Sequence, residues 1–294
     1  MPDGSALAAS VATDPQRSHA DAFGERRFGM VNWLGVWTLY KKEVQRFLKV
    51  AAQTVLAPIV TTLLYLTVFL VAFSGAGREV VMDGRAIPYA AFLPPGLVMM
   101  AVLSNAFQNS SSSIIIGKVQ GSLVDVLMPP LSAAELTFAF VAGAATRGLL
   151  VGAITALTIA GFMALSGTPL SLVNPLAALY FAVMAAVMLG AIGAIAGMWA
   201  EKFDQLAVIT NFVITPLTFL SGTFFSVRKE GLPSWVADVS GFNPLFYLID
   251  GFRSGFIGAS DSLVPVGAVV VFALTALLVA LVYVLLKRGY KIKE

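Results

Sequence analysis

Six long apolar runs limit what this chain of 294 residues can fold into. They occupy residues 51–73, 89–112, 133–165, 175–200, 206–225 and 263–286. A helix of about 20 apolar residues crosses a hydrocarbon core of about 30 Å. Only 12% of the chain is charged, where soluble domains have about 25%. The sequence therefore predicts an all-α polytopic membrane protein with six transmembrane helices.

Two segments of different character precede the first run. Residues 1–28 are polar and aperiodic, which predicts a disordered cytoplasmic tail and argues against a signal peptide. Residues 29–50 alternate aromatic and basic side chains at helical spacing, which predicts an amphipathic helix in the membrane interface. The residues assigned to this interface helix are Trp33, Trp37, Tyr40, Lys41, Lys42 and Arg46. A plain anchor and a surface for a partner both explain this pattern.

A short polar segment interrupts the apolar runs at residues 117–130. Apolar residues at helical spacing predict a helix over 118–128, and Pro129 and Pro130 end it. Ser132 and Glu135 then form the S-x-x-E pattern of a capping box, which starts the next helix. The short helix is either a simple connector between spans or a docking helix for a soluble partner.

Three motifs carry a resemblance to the permease subunits of ABC-2 type ABC exporters. The first is G-S-L-V-D-V-L-M-P-P at 121–130, the second is A-x-R-G-L-x-V-G at 145–152, and the third is N-P-L-x-Y-x-I-D-G-x-R at 243–253. The resemblance implies two permeases working with two separate ATPase subunits, and an interface helix that packs beside the ATPase. It also implies that the short helix contacts the ATPase, through Gln120, Gly121, Ser122, Leu123, Val124, Asp125, Leu127 and Met128.

The second and fifth spans carry an unusual number of polar side chains. The resemblance implies that these spans line the substrate path, for which the candidate residues are Asn105, Gln108, Asn109, Asn211, Thr215 and Phe219. Amides in hydrocarbon need hydrogen-bond partners, so contacts between helices explain the same residues. Both interpretations stay open at this point.

Arg147 is the charged residue that the sequence places deepest in a span. A buried arginine needs a carbonyl, a carboxylate or water as partner. The neighbouring Gly148 and Gly152 indicate close helix packing, which favours a structural role, with Asp125 or Glu135 as possible partners. Contact with an anionic substrate is the alternative.

The remaining segments complete the expected topology. Residues 74–88 are expected to form a loop, and residues 233–258 two re-entrant helices on the outer side, the second started by Asn243 and Pro244. Lys and Arg number thirteen on the segments placed inside and five on those placed outside. This bias predicts that both termini are cytoplasmic.

The residue types and motifs that the chain lacks exclude several classes of function. The chain contains no cysteine, one histidine and no G-x-x-x-x-G-K-[ST] motif, so no metal, catalytic or nucleotide site is expected within it. The interiors of the spans carry no carboxylate, which argues against an ion-coupled carrier or channel, the alternative function, and against a membrane enzyme. Together with these absences, the resemblance implies the permease of an ATP-driven exporter in the cell's inner membrane. The expected partners are the bilayer, a second copy and an ATPase subunit that holds ATP and Mg²⁺, with no nucleic acid.

Overall fold

A computed structural model describes residues 31–74, 79–227 and 239–291. The predicted tail at 1–28 and the predicted start of the first re-entrant helix at 233 lie outside these residues. The helices are α1 (Trp33–Leu48), α2 (Ala51–Ser74), α3 (Tyr89–Val119), α4 (Leu123–Leu127), α5 (Ala133–Leu165), α6 (Pro175–Trp199), α7 (Phe203–Ile209), α8 (Thr215–Thr218), α9 (Pro244–Ile257) and α10 (Val264–Arg288). Two π-helical segments, Thr210–Ile214 and Phe219–Thr223, flank α8.

Six helical stretches of the described chain are long and apolar enough to cross a membrane, as predicted. They are α2, α3, α5, α6, the stretch Phe203–Thr223 that contains α7 and α8, and α10, and they are called the first to sixth spans below. The predicted all-α class with six spans is confirmed.

Several spans begin or end at residues other than those predicted. The second span continues to Val119 instead of ending at 112, because its serines bond to backbone carbonyls: Ser111 donates to Phe107 O at 2.8 Å and Ser110 to Gly190 O at 2.6 Å. The fifth span begins at Phe203, so Asp204 lies in its first turn. The fourth span ends at Trp199 and the sixth continues to Arg288.

The second span is the centre of the bundle. Within an apolar stretch of 18 residues, 78% of the residues of the second span are buried, compared with 11% in the first span and 17% in the sixth. Small residues allow the close approach: a Cβ on Gly148 would lie 2.9 Å from the Ala106 side chain, and one on Gly197 2.8 Å from Ser111 O. The close packing predicted at Gly148 and Gly152 is confirmed, since a Cβ on Gly152 would also clash with the Val102 side chain.

Residues 79–88 form a β-hairpin, where the sequence predicted a loop. β1 (Glu79–Met82) pairs antiparallel with β2 (Arg85–Pro88). Asp83 and Gly84 connect them, both with positive φ, as two-residue hairpin turns require. The alternation that identifies a strand covers only four residues on each side, which is too short to stand out in the sequence.

Polar contacts group the connecting segments at two ends of the bundle. At one end, Lys118 donates to the carbonyls of Met198 and Ala200, and Lys291 pairs with Glu201 at 2.8 Å. The hydrogen bond from Lys291 holds the pKa of the Glu201 carboxyl below its usual value. The segment after the second span, the turn at 200–202 and the end of α10 therefore share this end, which we call the coupling end.

The opposite end contains the hairpin and α9. Asp83 accepts from Ser260 N at 3.1 Å, and Ser171 donates to Phe256 O at 3.1 Å. The predicted cap of α9 is confirmed, since the Asn243 side chain accepts from Leu245 N at 3.0 Å. We call this end the hairpin end.

Candidate substrate cavity and coupling surface

A cavity of about 670 Å³ lies between the first, second and fifth spans. Its wall combines polar side chains with apolar ones such as Leu97, Met100 and Leu206. The polar and charged residues of the wall are Arg46, Gln53, Thr54, Thr61, Thr62, Ser104, Asn105, Gln108, Ser111, Ser112, Arg147 and Thr210. The wall therefore offers both polar and apolar surface to a ligand.

The structure brings together only some of the predicted path residues. Asn105 and Gln108 line the large cavity, and Gln108 and Thr215 line a smaller cavity of about 90 Å³ beside it. Asn109 is fully buried and lines neither cavity. Its side-chain oxygen accepts from Arg46 at 3.0 Å, so it serves the helix contact that was the alternative interpretation.

The other two predicted path residues lie on different surfaces of the fifth span. Asn211 is exposed on the single chain, and Phe219 packs its ring on Phe224 with 4.9 Å between centroids. The π-helical turns redistribute the faces of this span, and threonine hydroxyls bond across them: Thr215 donates to Thr210 O at 2.9 Å. Asn211 and Phe219 therefore do not line the large cavity together with Asn105 and Gln108.

The interface helix α1 carries a partly buried ion pair that the sequence did not predict. Arg46 donates to Glu43 at 3.1 Å and to the Asn109 backbone oxygen at 2.7 Å, and Ser113 donates to Glu43 at 2.7 Å. Glu43 is 2% exposed and packs against Gly143, where a Cβ would lie 2.7 Å away. Arg46 thus bonds to the second span, a contact that its assignment to an amphipathic interface helix did not indicate.

The remaining predicted residues of α1 are more peripheral. Trp33, Trp37, Lys41 and Lys42 are exposed, as expected of a helix in an interface. The Tyr40 hydroxyl lies 2.9 Å from the Thr146 hydroxyl of the third span and forms a hydrogen bond with it. Helix α1 is therefore joined to the second and third spans by polar contacts.

Arg147 lacks the partner that its predicted structural role requires. Within the residues that the structure describes it forms no hydrogen bond or ion pair, and its buried Nε has no acceptor. The predicted partners are placed elsewhere: Asp125 is exposed, and Glu135 accepts from Ser132 N at 2.6 Å in the capping box, which is confirmed. Arg147 lines the cavity instead.

The short helix predicted over 118–128, which the resemblance implies contacts the ATPase, is shorter than expected. Only α4, Leu123–Leu127, is helical, because the second span takes Lys118 and Val119 and a turn follows with Gly121 at φ +70°. Leu123 is buried, and a Cβ on Gly117 would lie 3.3 Å from it.

Residues 117–130, which we call the coupling segment, present both apolar and polar side chains at the coupling end. Ser122 and Leu127 are partly buried, whereas the exposed residues are Val119, Gln120, Gly121, Val124, Asp125 and Met128. The apolar exposure is high, 57% for Val124 and 76% for Met128. An apolar pair beside a carboxylate is suited to contact with another protein.

Sequence reasoning missed Arg253, which it counted among the charges of an outer loop. Arg253 is 1% exposed, donates to Phe92 O at 3.2 Å and Gly222 O at 2.7 Å, and lies over the Phe92 ring at 3.8 Å. Its motif contained the signal, since Asn243 caps α9 and Asp250 accepts from Ser262 N at 2.8 Å. These three residues of the third motif fix the hairpin end.

Six spans, an amphipathic cavity and an exposed segment at one end define a helical membrane transport protein. The described residues contain no group of three His, Cys, Asp or Glu side chains placed to hold a metal. Residues 35–257 match the family described as ABC-2 type transporter. The chain belongs to this family and is a transmembrane permease of an ABC-2 type transporter.

Curated relatives agree with the family. The chain is 31% identical over 262 residues to the inner membrane transport permease YadH of Escherichia coli K12, covering 87% of this chain and 96% of the relative. It is 28% identical over 238 residues to nodulation protein J of Rhizobium leguminosarum bv. viciae, covering 78% and 84%. Permeases of this family lack the ATPase domain, so the chain is not itself an ATPase, and its family implies an ATPase partner.

Proposed function

We propose that the chain is the permease of an ATP-driven exporter that moves an amphipathic or lipid-linked solute out of the cytoplasm or the inner leaflet. The observation that carries this proposal is the composition of the 670 Å³ cavity, whose wall combines threonine, serine and amide groups with leucine, methionine and proline. Ligand sites bind through apolar area and orient through a few polar groups. A wall of both kinds suits a solute with a polar head and an apolar body.

The energy comes from a separate ATPase that binds at the coupling end. The surface of Val124, Asp125 and Met128 supports this, since it is exposed and lies next to the buried foot of the second span, where Leu123 packs on Gly117. Movement of the coupling segment would therefore act directly on a cavity-lining helix. ATP and Mg²⁺ are held by that partner.

A second copy of the chain covers the open side of the bundle. The first span is poorly buried, and the fifth exposes Asn211 and Phe212, the latter by 77%. An amide facing lipid within a span is costly, whereas an interface between two copies offers it a partner. We therefore assign the exposed surfaces of the first and fifth spans to a homodimer contact.

The coupling end faces the cytoplasm of an inner membrane, with both termini on that side. The distribution of Lys and Arg supports this orientation. The name of the relative YadH supports the inner membrane as the location.

Substrate-stimulated ATP hydrolysis tests the proposal. The complex is purified from native membranes through a tag on this chain and reconstituted in phosphatidylcholine nanodiscs. We expect alkyl glycosides to raise the hydrolysis rate increasingly with chain length, while free maltose does not. Equal responses to the glycosides and to maltose would contradict an amphipathic solute.

A further inference from the structure

The cavity has an unbalanced positive charge. Its wall contains two arginines, Arg46 and Arg147, and no carboxylate among the described residues that line it. Arg46 is compensated by Glu43 at 3.1 Å, and Glu43 also accepts from Ser113. Arg147 has no such compensation, so its charge is available to a ligand.

Arg147 lies deeper than Arg46. Arg46 bonds to Asn109 and Ser112 on the second span, whereas Gly148, the neighbour of Arg147, packs on Val102 and Ala106. This difference is about one to two turns of the second span away from the coupling end. Arg147 is thus a cation inside the span region, where a guanidinium without a partner is costly.

The packing shows why Arg147 cannot simply turn away. Gly148 and Gly152 bring the third span against the second span at Val102 and Ala106. Residues one apart on a helix differ in direction by about 100°, so the glycine face is closed and the next position opens onto the cavity. The arginine is therefore held at the wall by close helix contact.

From these contacts we infer that Arg147 binds the anionic head group, a phosphate or a carboxylate, of the solute in this cavity. The guanidinium offers paired donors that match either group. Gln108 and Ser104 on the same wall supply further polar contacts, and Leu97, Met100 and Pro58 supply apolar surface for the body of the solute. The cavity reaches from Val50 to Tyr65 along the first span, about 22 Å, which is long enough for an extended single-chain amphiphile.

This inference rests on the proposed function and restricts its solute to anionic amphiphiles. Binding measurements on the full-length chain in phosphatidylcholine nanodiscs test it. The probe is fluorescent lysophosphatidic acid, displaced by unlabelled lysophosphatidic acid, by monoacylglycerol of the same chain, or by inorganic phosphate. We expect lysophosphatidic acid to bind at least about tenfold more tightly than the neutral monoacylglycerol. This comparison needs no variant, so it decides the question even if a substitution prevents folding.

Variants then assign the preference to Arg147. Arg147→Gln should abolish the difference between the two lipids, and Arg147→Lys should retain part of it. Lys202→Gln, which removes a positive charge at the coupling end outside the cavity, should leave it unchanged. Equal affinity for the two lipids, or a preference that survives in Arg147→Gln, would overturn the inference.

Three further outcomes distinguish the source of the anion and separate this inference from the proposed function. If inorganic phosphate displaced the probe at the same concentration as lysophosphatidic acid, the inference of an amphiphilic ligand would be overturned. The cavity would then be a site for free anions. If alkyl glycosides stimulated ATP hydrolysis as strongly as alkyl phosphates, the inference of an anionic head group would be overturned. The proposal that the protein exports amphiphiles would still stand. Binding of anionic lipid without ATP-dependent transport would contradict only the proposed exporter function.

Discussion

Three arginines are used in different ways in this protein. Arg46 is ion-paired, Arg147 faces a cavity, and Arg253 is enclosed by carbonyl groups. Burial without a counter-ion costs several kcal/mol unless hydrogen bonds replace water. Arg253 satisfies this condition with two carbonyls and the face of Phe92.

Replacing Arg253 should destabilise the hairpin end. Arg253→Leu leaves Phe92 O and Gly222 O without their donor and removes the cation–π contact, so we expect a loss of about 3 kcal/mol. Thermal unfolding in detergent, followed by gel filtration, measures it. Arg253→Lys should recover only part of the loss, since its donors lack the fixed fork geometry of the guanidinium that bonds to both carbonyls.

Arg85→Leu is the matched control, because Arg85 is exposed on β2 at the same end. Its melting temperature should stay close to that of the wild-type protein. An Arg253→Leu variant as stable as Arg85→Leu would show that the buried guanidinium contributes nothing to the fold.

Residue patterns predicted capping and glycine packing well, but not charge partners. The Ser132 and Glu135 capping box and the Asn243 cap are local, so sequence spacing determines them. Arg46 has a local partner in Glu43, but it also bonds to Asn109, 63 positions away, and Arg253 bonds to Phe92 O, 161 positions away. No local spacing indicates these two distant partners. For the same reason Arg147 was assigned a partner that the structure does not provide.

At the scale of elements, the coupling segment is short and closely bound to the second span. Its helix α4 has five residues, Leu123 packs on Gly117, and Pro129 and Pro130 follow the segment. A five-residue helix has little stability of its own, so its contact with the bundle holds it in place. This arrangement lets a force on α4 reach the cavity wall.

Reversing the charge of Asp125 should weaken the ATPase contact. Asp125 is exposed between Val124 and Met128, so Asp125→Lys changes the docking surface without affecting the core. We expect at least about tenfold less ATPase retained per permease after tagged purification, since the substitution reverses the charge within the proposed docking surface. Quantitative mass spectrometry of the purified complex measures the ratio.

Glu79→Lys provides the control for that experiment. It makes the same change of charge on an exposed strand residue at the hairpin end. Its ATPase content should equal that of the wild-type complex. Unchanged retention in Asp125→Lys would remove this surface as the docking site.

Element boundaries were less predictable than element types. All six spans were recognised because apolar length determines them, yet the second span was ended seven residues early at its serines. The π-helical turns of the fifth span follow from bonds such as Thr223 to Thr218 O at 2.7 Å, which composition does not reveal. These turns decide which side chains reach the cavity, so the candidate site was only partly predictable.

At the scale of the whole molecule, we expect the open sides of the first and fifth spans to contact a second copy, as proposed above. Asn211→Cys should form a disulfide-linked dimer in membranes treated with oxidant, because the chain has no native cysteine to interfere. Leu157→Cys, exposed on the third span, is the control and should stay monomeric on a non-reducing gel. Equal cross-linking of both would argue against the assigned interface.

Orientation is tested with the same cysteine-free background. Ser122→Cys and Lys202→Cys should react with a membrane-impermeant maleimide only after the cells are opened, and Arg85→Cys should react in intact cells. Labelling of Ser122→Cys in intact cells would invert the topology.

The central claim is that a separate ATPase powers export through this chain. Proteoliposomes containing the permease with its ATPase, oriented with the coupling end outward, should accumulate a fluorescent alkyl phosphate when ATP and Mg²⁺ are added. A proton uncoupler should not affect this uptake, and vesicles with the permease alone should show none. Uptake by the permease alone that responds to an ion gradient and not to ATP would contradict the account.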